Sequence, residues 1–470
     1  MKPVRWIIAL AVAVIALCAV YFVVDHKADD RERHQQLGAG KTLFSFDASS
    51  ISRVTLESED GYFAFDWDAV HATWQLASAD QFSFNTYAIS TICNYFSELS
   101  SEKTVVFDCQ DTSVYGFDAP TVLKVYTTDK GEEAPYVLYV GDSTPTYDAY
   151  YAMLPGSNDV YTIGYTQGSI FCADKNMLKN TYLFDTFSTL VDAYQLIRDG
   201  ETVFSLERDS DALWQMTYPR PYTVHASNIT NLMDSLVRVQ VDSFVEENPT
   251  DLAKYGLDKP RYVLKLRGTI NGNAVSRELL FGDMITENDN ETQMYGYISD
   301  SKQVFIVTKA AVSFLEQDTT AYILPYCVDV SIEDLSKIEI NMGAVYDLHE
   351  TLYLDYANEQ YALGDIDIDA YEDENILTLY QNFYRAVANL QFSAIDLDAV
   401  PEGEAAVTIL YTHLDGSETS AEFVPKAEND FYLVVNGEYT GLTVRLNRFT
   451  GSAGMVFSYE ALLKGLKDAK

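Results

Sequence analysis

Apolar positions between residues 43 and 187 fall into short runs whose period changes once. Residues 51–57, 61–67 and 73–76 are rich in β-branched and aromatic side chains, which predicts three strands. From Phe84 to Leu99 the period lengthens. Tyr87, Ile89, Ile92, Tyr95, Phe96 and Leu99 then share one side of a helix, with Asn85 placed as its N-cap. Strand-like runs resume near 104–108, 121–127, 135–140, 148–154 and 159–163. The same order returns downstream: strands, a helix near 227–239, then strands near 241–245, 261–267, 275–281, 293–299 and 303–307. A third stretch follows it loosely. Ile338 to Tyr361 is strand-rich, Glu374 to Leu390 reads as the helix, and strands follow near 405–411, 419–424, 430–435 and 440–446. A short amphipathic helix, Tyr459 to Leu466, is expected at the end.

The recurrence is one of residues as well as of pattern. Tyr115-Gly116-Phe117-Asp118-Ala119-Pro120 matches Tyr255-Gly256-Leu257-Asp258-Lys259-Pro260 at an offset of 140, and Gly141-Asp142 matches Gly282-Asp283 at 141. Trp74-Gln75 pairs with Trp214-Gln215, and Asp60-Gly61 with Asp199-Gly200. Repetition at a fixed spacing marks repeated structural units. The third copy lacks the Tyr-Gly-x-Asp-x-Pro run; its corresponding stretch is Asp396 to Glu404. Turn chemistry accounts for the motif: Gly116 and Gly256 supply positive φ, Asp118 and Asp258 bond backbone N–H groups, and Pro120 and Pro260 launch the next strand. The two Gly-Asp pairs are expected to begin turns as well. Trp74 and Trp214 read as core packing, and Tyr147, Tyr150, Tyr151, Tyr295 and Tyr297 as strand residues around loops.

The N-terminus departs from this pattern. Trp6 to Val24 carries no charge, and at about 1.5 Å per residue it nearly spans a hydrocarbon core of about 30 Å. Lys2 and Arg5 precede it, so the N-terminus is expected in the cytoplasm and the bulk of the chain outside. No small-x-small cleavage site follows directly, and Leu17 is a poor neighbour for lipidation of Cys18. An uncleaved anchor is favoured over either alternative.

The reading is therefore an α+β chain. Residues 1–24 form a transmembrane anchor and 25–42 a polar linker. Residues 43–187, 188–330 and 331–470 form three β-rich modules, each an antiparallel sheet with one main helix, the last divergent and ending in a helix. Composition adds one strong constraint: 32 Lys and Arg stand against 70 Asp and Glu, a net charge of −38. Such a surface repels phosphate backbones, so nucleic acid is not an expected partner. The cytoplasmic membrane is.

The Tyr-Gly-[Phe/Leu]-Asp-x-Pro run, followed by Val-Leu-Lys and then Gly-Asp, resembles a bacterial domain-of-unknown-function family. That family has one N-terminal span and repeated ectodomain modules, and is often encoded beside ABC-2-type permeases and gliding-motility-type transporter proteins. The resemblance implies an accessory ectodomain of an ABC exporter, with permease subunits as partners. It supplies no catalytic residues.

Nothing else in the chain marks an enzyme. The six histidines are isolated, and neither H-E-x-x-H nor G-x-S-x-G occurs. Gly38-Ala39-Gly40-Lys41-Thr42 resembles the end of a phosphate loop but has Gln35 where glycine is needed. Asp365, Asp367 and Asp369 alternate as in a calcium loop, yet Ala370 and Ile376 stand where Gly and Glu are required, so calcium is a weak candidate. The Glu287–Glu291 loop is weaker still. Cys93, Cys109, Cys172 and Cys327 form no zinc pattern. A Cys93–Cys109 disulfide is conceivable, and four buried free thiols are preferred. A non-enzymatic, membrane-anchored accessory or binding protein without cofactor is expected. A glycan-acting envelope enzyme and an adhesive stalk are the alternatives.

Overall fold

The computed structural model describes residues 14–18, 20, 21, 37–80, 82–131, 133–184, 191–270, 273–287 and 290–469. Of the expected span, residues 14–18, 20 and 21 are helical and exposed, and the rest lies outside the described residues. No helix among the described residues is long and apolar enough to cross a membrane.

The first module follows the expected order. Its strands are β1 (Ile51–Ser58), β2 (Gly61–Asp68), β3 (Thr73–Leu76), β4 (Lys103–Val106), β5 (Thr121–Thr127), β6 (Tyr136–Ser143), β7 (Ala149–Met153) and β8 (Val160–Gly164). They form one antiparallel sheet in the order β3-β2-β1-β5-β6-β7-β8-β4. Helix α1 (Thr86–Ser97) lies between β3 and β4 in sequence. Asn85 starts it, its side-chain oxygen accepting from the N–H groups of Tyr87 and Ala88 at 3.0 and 3.3 Å. Ile89, Ile92 and Phe96 pack on Val54, Leu56, Phe65, Leu123, Val125 and Leu138. Burying one such side chain is worth about 1.5–3 kcal/mol. Because strand side chains alternate, Tyr139 and Tyr151 face the other side, where they meet Phe117, Cys109 and Val160. After β8 come α2 (Tyr165–Phe171) and α3 (Lys175–Leu178).

The second module repeats the sheet: β9 (Val191–Arg198), β10 (Glu201–Arg208), β11 (Trp214–Tyr218), β12 (Ser243–Glu247), β13 (Tyr262–Ile270), β14 (Asn273–Glu287), β15 (Asn290–Ile298) and β16 (Gln303–Thr308), ordered β11-β10-β9-β13-β14-β15-β16-β12. Helix α4 (Ala226–Val237) takes the place of α1. The β9–β10 hairpin turns on Asp199 and Gly200, both at positive φ, the geometry whose twist matches paired strands.

The third sheet comprises β17 (Leu335–Asn341), β18 (His349–Asp355), β19 (Gln360–Leu363), β20 (Ile366–Asp367), β21 (Ala394–Ile395), β22 (Val407–His413), β23 (Glu418–Ala427), β24 (Asp430–Val435) and β25 (Glu438–Arg445). Its order, β20-β19-β18-β17-β22-β23-β24-β25-β21, is the same plan with one strand added at an edge. Helix α5 (Glu374–Ala388) is the main helix; α6 (Leu446–Thr450) and α7 (Met455–Asp468) follow β25.

Each module opens with the same tether. Leu43 N donates to Leu99 O at 2.8 Å, Leu183 N to Val239 O at 2.9 Å, and Cys327 N to Leu390 O at 2.7 Å, each binding the incoming chain to the end of the main helix. Upstream of the first tether, Gly38 N donates to Thr104 O and Thr104 N to Ala39 O. The phosphate-loop-like segment is therefore occupied in backbone pairing, and pairing begins inside the stretch read as linker. The chain divides into two compact units, residues 1–181 and 182–470. In the second unit, modules two and three share one continuous apolar core from Leu183 to Leu466.

Candidate functional site

The repeated motif builds a turn on the sheet face opposite the main helix. In module one, residues Ser113–Tyr115 make a single 3-10 turn, closed by Gly116 at φ +80°, whose N–H donates to Ser113 O at 3.0 Å. Module two repeats this with Ala253–Tyr255 and Gly256 at φ +65°. Phe117 and Leu257 then drop into the small outer-face clusters, and Pro120 leads directly into β5. Asp118 and Asp258 do not act as expected. Both are exposed, and among the described residues neither accepts a backbone N–H. The capping carboxylates are Asp111, accepting from Ser113 N at 3.2 Å, and Asp251, accepting from Ala253 N at 3.0 Å. These also sit 140 residues apart, a signal present in the sequence but not singled out.

The Gly-Asp pairs are a second correction. They begin no turn: Gly141-Asp142 lies inside β6 and Gly282-Asp283 inside β14, each at a register shift against the next strand. A β-bulge bends the strand and frees its backbone. The motif turn rests there. A Cβ added to Gly116 would stand 2.5 Å from Asp142 N, and one on Gly256 2.9 Å from Asp283 N. Two motifs about 25 residues apart in each copy thus form one joint.

Module three keeps the joint with other chemistry. β23 has its register shift between Pro425 and Ala427, and Lys426 occupies the bulge. Lys426 Nζ holds Asp396 at 2.6 Å, and this hydrogen bond raises the lysine pKa. Tyr439 OH donates to Asp396 O, and burial pushes the Tyr439 phenol up to about 12. A second bulge, with Gly441 at φ +79°, faces module two: Arg220 Nη1 donates to Tyr439 O at 3.0 Å and Tyr222 OH to Thr440 O at 2.9 Å. Arg220 and Tyr222 of module two thus hold the backbone of this β25 bulge.

The three candidate calcium aspartates do not converge. Asp367 and Asp369 line an open notch of about 670 Å³ with Asp355 and Glu359, while Asp365 lies outside it. Asp369 accepts from Tyr361 N at 2.8 Å and Asp367 from Asp369 N at 3.1 Å, so both carboxylates fix the chain after β19. Among the described residues no group of three His, Cys, Asp or Glu is placed to hold a metal ion.

The cysteines are free, with Cys93, Cys109 and Cys327 buried and Cys172 half-buried. Cys93, on α1, belongs to the main core cluster and Cys109 to the outer-face cluster, which leaves the conceived disulfide unmade. Trp74 is buried in the first core, and Trp214 packs at the edge of the second with the Arg208 guanidinium 4.6 Å from its ring. Tyr150, Tyr151, Tyr295 and Tyr297 are half-buried strand residues, whereas Tyr147 is exposed in a turn at φ +56°.

A cleft of about 940 Å³ lies between the C-terminal half of α5 and the α6–α7 connection. Arg385, Arg445 and Arg448 line it, with Asn382, Asn389 and Ser452 among the polar residues and Leu379 and Phe457 among the apolar ones. Sequence reasoning missed it, because its basic residues are isolated along the chain.

The family model described as Domain of unknown function (DUF4340) matches the chain twice, over residues 74–245 and 214–405. The two matches begin at the paired residues Trp74 and Trp214. No curated protein matches. Among solved structures, one titled as a Ca2+-stabilized adhesin that helps an Antarctic bacterium reach out and bind ice aligns over 88% of each chain, at 9% identity and a TM-score of 0.09. So low a score carries no argument about fold or calcium.

Proposed function

Because the chain belongs to the family described as Domain of unknown function (DUF4340), which assigns it no chemistry, we propose a role from its own residues: a membrane-anchored, extracytoplasmic, non-enzymatic accessory protein of an ABC-type exporter. The observation that carries the membrane anchor is the state of Val14, Ile15, Leu17, Val20 and Tyr21. They are helical, apolar and 52–69% exposed. An apolar surface of this kind is stabilised by lipid. Lys2 and Arg5 orient the bulk of the chain outward. The accessory role is supported by the repeated motif, whose residues are engaged in joining turn to sheet, and by the family resemblance to proteins encoded beside transporters.

The test has two arms. Full-length protein should stay with membranes through an alkaline carbonate wash, and a chain lacking residues 1–24 should not. Cross-linking in intact cells, followed by mild detergent purification, should recover an ABC permease subunit. Release of the full-length protein by carbonate overturns the anchor, and recovery of no transporter subunit overturns the accessory role.

A further inference from the structure

We propose that the cleft between α5 and α7 is a binding site for an oxyanion carried on a small organic body, with a phosphate ester as the chemistry that fits it. This rests on the cleft alone and does not depend on the membrane or exporter reading.

The charge distribution is the first argument. The chain carries 70 Asp and Glu, yet no carboxylate lines the cleft, while Arg385, Arg445 and Arg448, the three arginines of residues 331–470, all do. Several arginines elsewhere have carboxylate partners: Arg198 with Asp318 at 2.7 Å, Arg267 with Glu207 at 3.2 Å, Arg53 with Asp66 at 3.4 Å. Among the described residues neither Arg385 nor Arg448 has a carboxylate at ion-pair distance. Arg448 Nη1 bonds the Gln391 side-chain oxygen at 3.0 Å, and the Arg385 guanidinium lies 5.8 Å from the Tyr384 ring. Arg445 has, among the described residues, Asp430 alone at ion-pair distance, at 3.8 Å. Like charges brought together repel, and a bound anion relieves that cost. Guanidinium forks match oxyanion geometry.

The backbone is the second argument. The Gly451-Ser452-Ala453-Gly454 connection feeds α7, whose N-cap Gly454 offers no side chain to the orphan N–H groups of the first turn. Gly454, Phe457 and Ser458 line the cleft, so this helix start opens into it. The volume, about 940 Å³, is that of a small-molecule pocket and far exceeds one phosphate. Leu379, Ala386, Phe457 and Ala461 give the remainder of a ligand an apolar surface.

The experiment uses the full chain in neutral detergent. Glycerol phosphate is titrated calorimetrically, and vesicles of phosphatidylglycerol or phosphatidylcholine are tested by co-flotation. Two variants are compared with the parent: Arg385→Gln/Arg448→Gln, which removes two guanidiniums, and Ser452→Asp, which adds a carboxylate at an exposed position without disturbing packing. Binding of glycerol phosphate, weakened about tenfold or more in both variants, is expected for a soluble ester. Flotation with phosphatidylglycerol beyond that with phosphatidylcholine, lost in both variants and without glycerol phosphate binding, assigns the phosphate to a lipid headgroup. Binding that Ser452→Asp leaves unchanged, or no response to either phosphate source, overturns the proposal.

Discussion

Gly141 meets the carbonyl oxygen of Tyr115 so closely that a single methyl group on Gly141 would overlap it. Gly116, the next residue after Tyr115, closes on Asp142 in turn, so each half of the joint requires the glycine of the other. Gly282 and Tyr255 repeat the contact in the second module. Module three has no such glycine pair, and Lys426 and Asp396 stand there as an ion pair.

Alanine at Gly141 or Gly282 should therefore destabilise its module by about 1–3 kcal/mol, the usual range for overpacking. Gly156→Ala is the control: Gly156 has a positive φ, which Gly141 and Gly282 lack, but nothing lies within 4 Å of the added carbon, so it should cost only about 1 kcal/mol. Urea unfolding of the three variants measures the difference. Equal losses would show that the joint is not sterically tight.

The Lys426–Asp396 pair is half-buried on both sides, at 32% and 27% exposure. A double-mutant cycle with Lys426→Ala and Asp396→Ala should give a coupling of about 1 kcal/mol. Because Asp396 O also receives the Tyr439 hydroxyl, Tyr439→Phe should reduce that coupling. An unchanged coupling in the Phe background argues against a shared network.

Stability at high pH should be governed by buried phenols. Burial pushes Tyr262, Tyr322 and Tyr439 up to about 12, and it raises Tyr194, Tyr380 and Tyr411 further. A group whose folded pKa is raised contributes stability that is complete below its unfolded value, about 10 for Tyr, and that is lost as pH rises through the folded value. Melting temperature should hold to about pH 10 and then fall. Tyrosinate absorbance should appear later in the native than in the urea-unfolded chain. Coincident titration curves would contradict the burial.

Cys93 lies on the buried side of α1, and burial lifts its thiol to about 12; burial raises Cys327 as well. Thiolate, the reactive form, is scarce at such sites. Native protein should release Cys93 and Cys327 to a thiol reagent only on unfolding. Electrophoretic mobility should be the same with and without reductant, since the four described body cysteines are free. A mobility shift would reveal a disulfide.

Local order was legible in the residues. The change of period at Phe84 locates α1, Asn85 caps it, and the 140-residue offset marks the repeat. These signals survive in sequence because helix period, strand alternation and capping are set by neighbours a few residues apart. Tertiary structure alone decided the rest. Gly141-Asp142 looks like the start of a turn and is a bulge, because its partner is Tyr115 across the sheet. Module three lost the motif where Arg220 and Tyr222 of module two reach Tyr439 and Thr440. Arg385 and Arg448 are 63 positions apart and share a cleft only because α5 packs against α6 and α7. Such placements depend on which distant backbones meet, a relation that no local pattern of apolar and polar residues encodes.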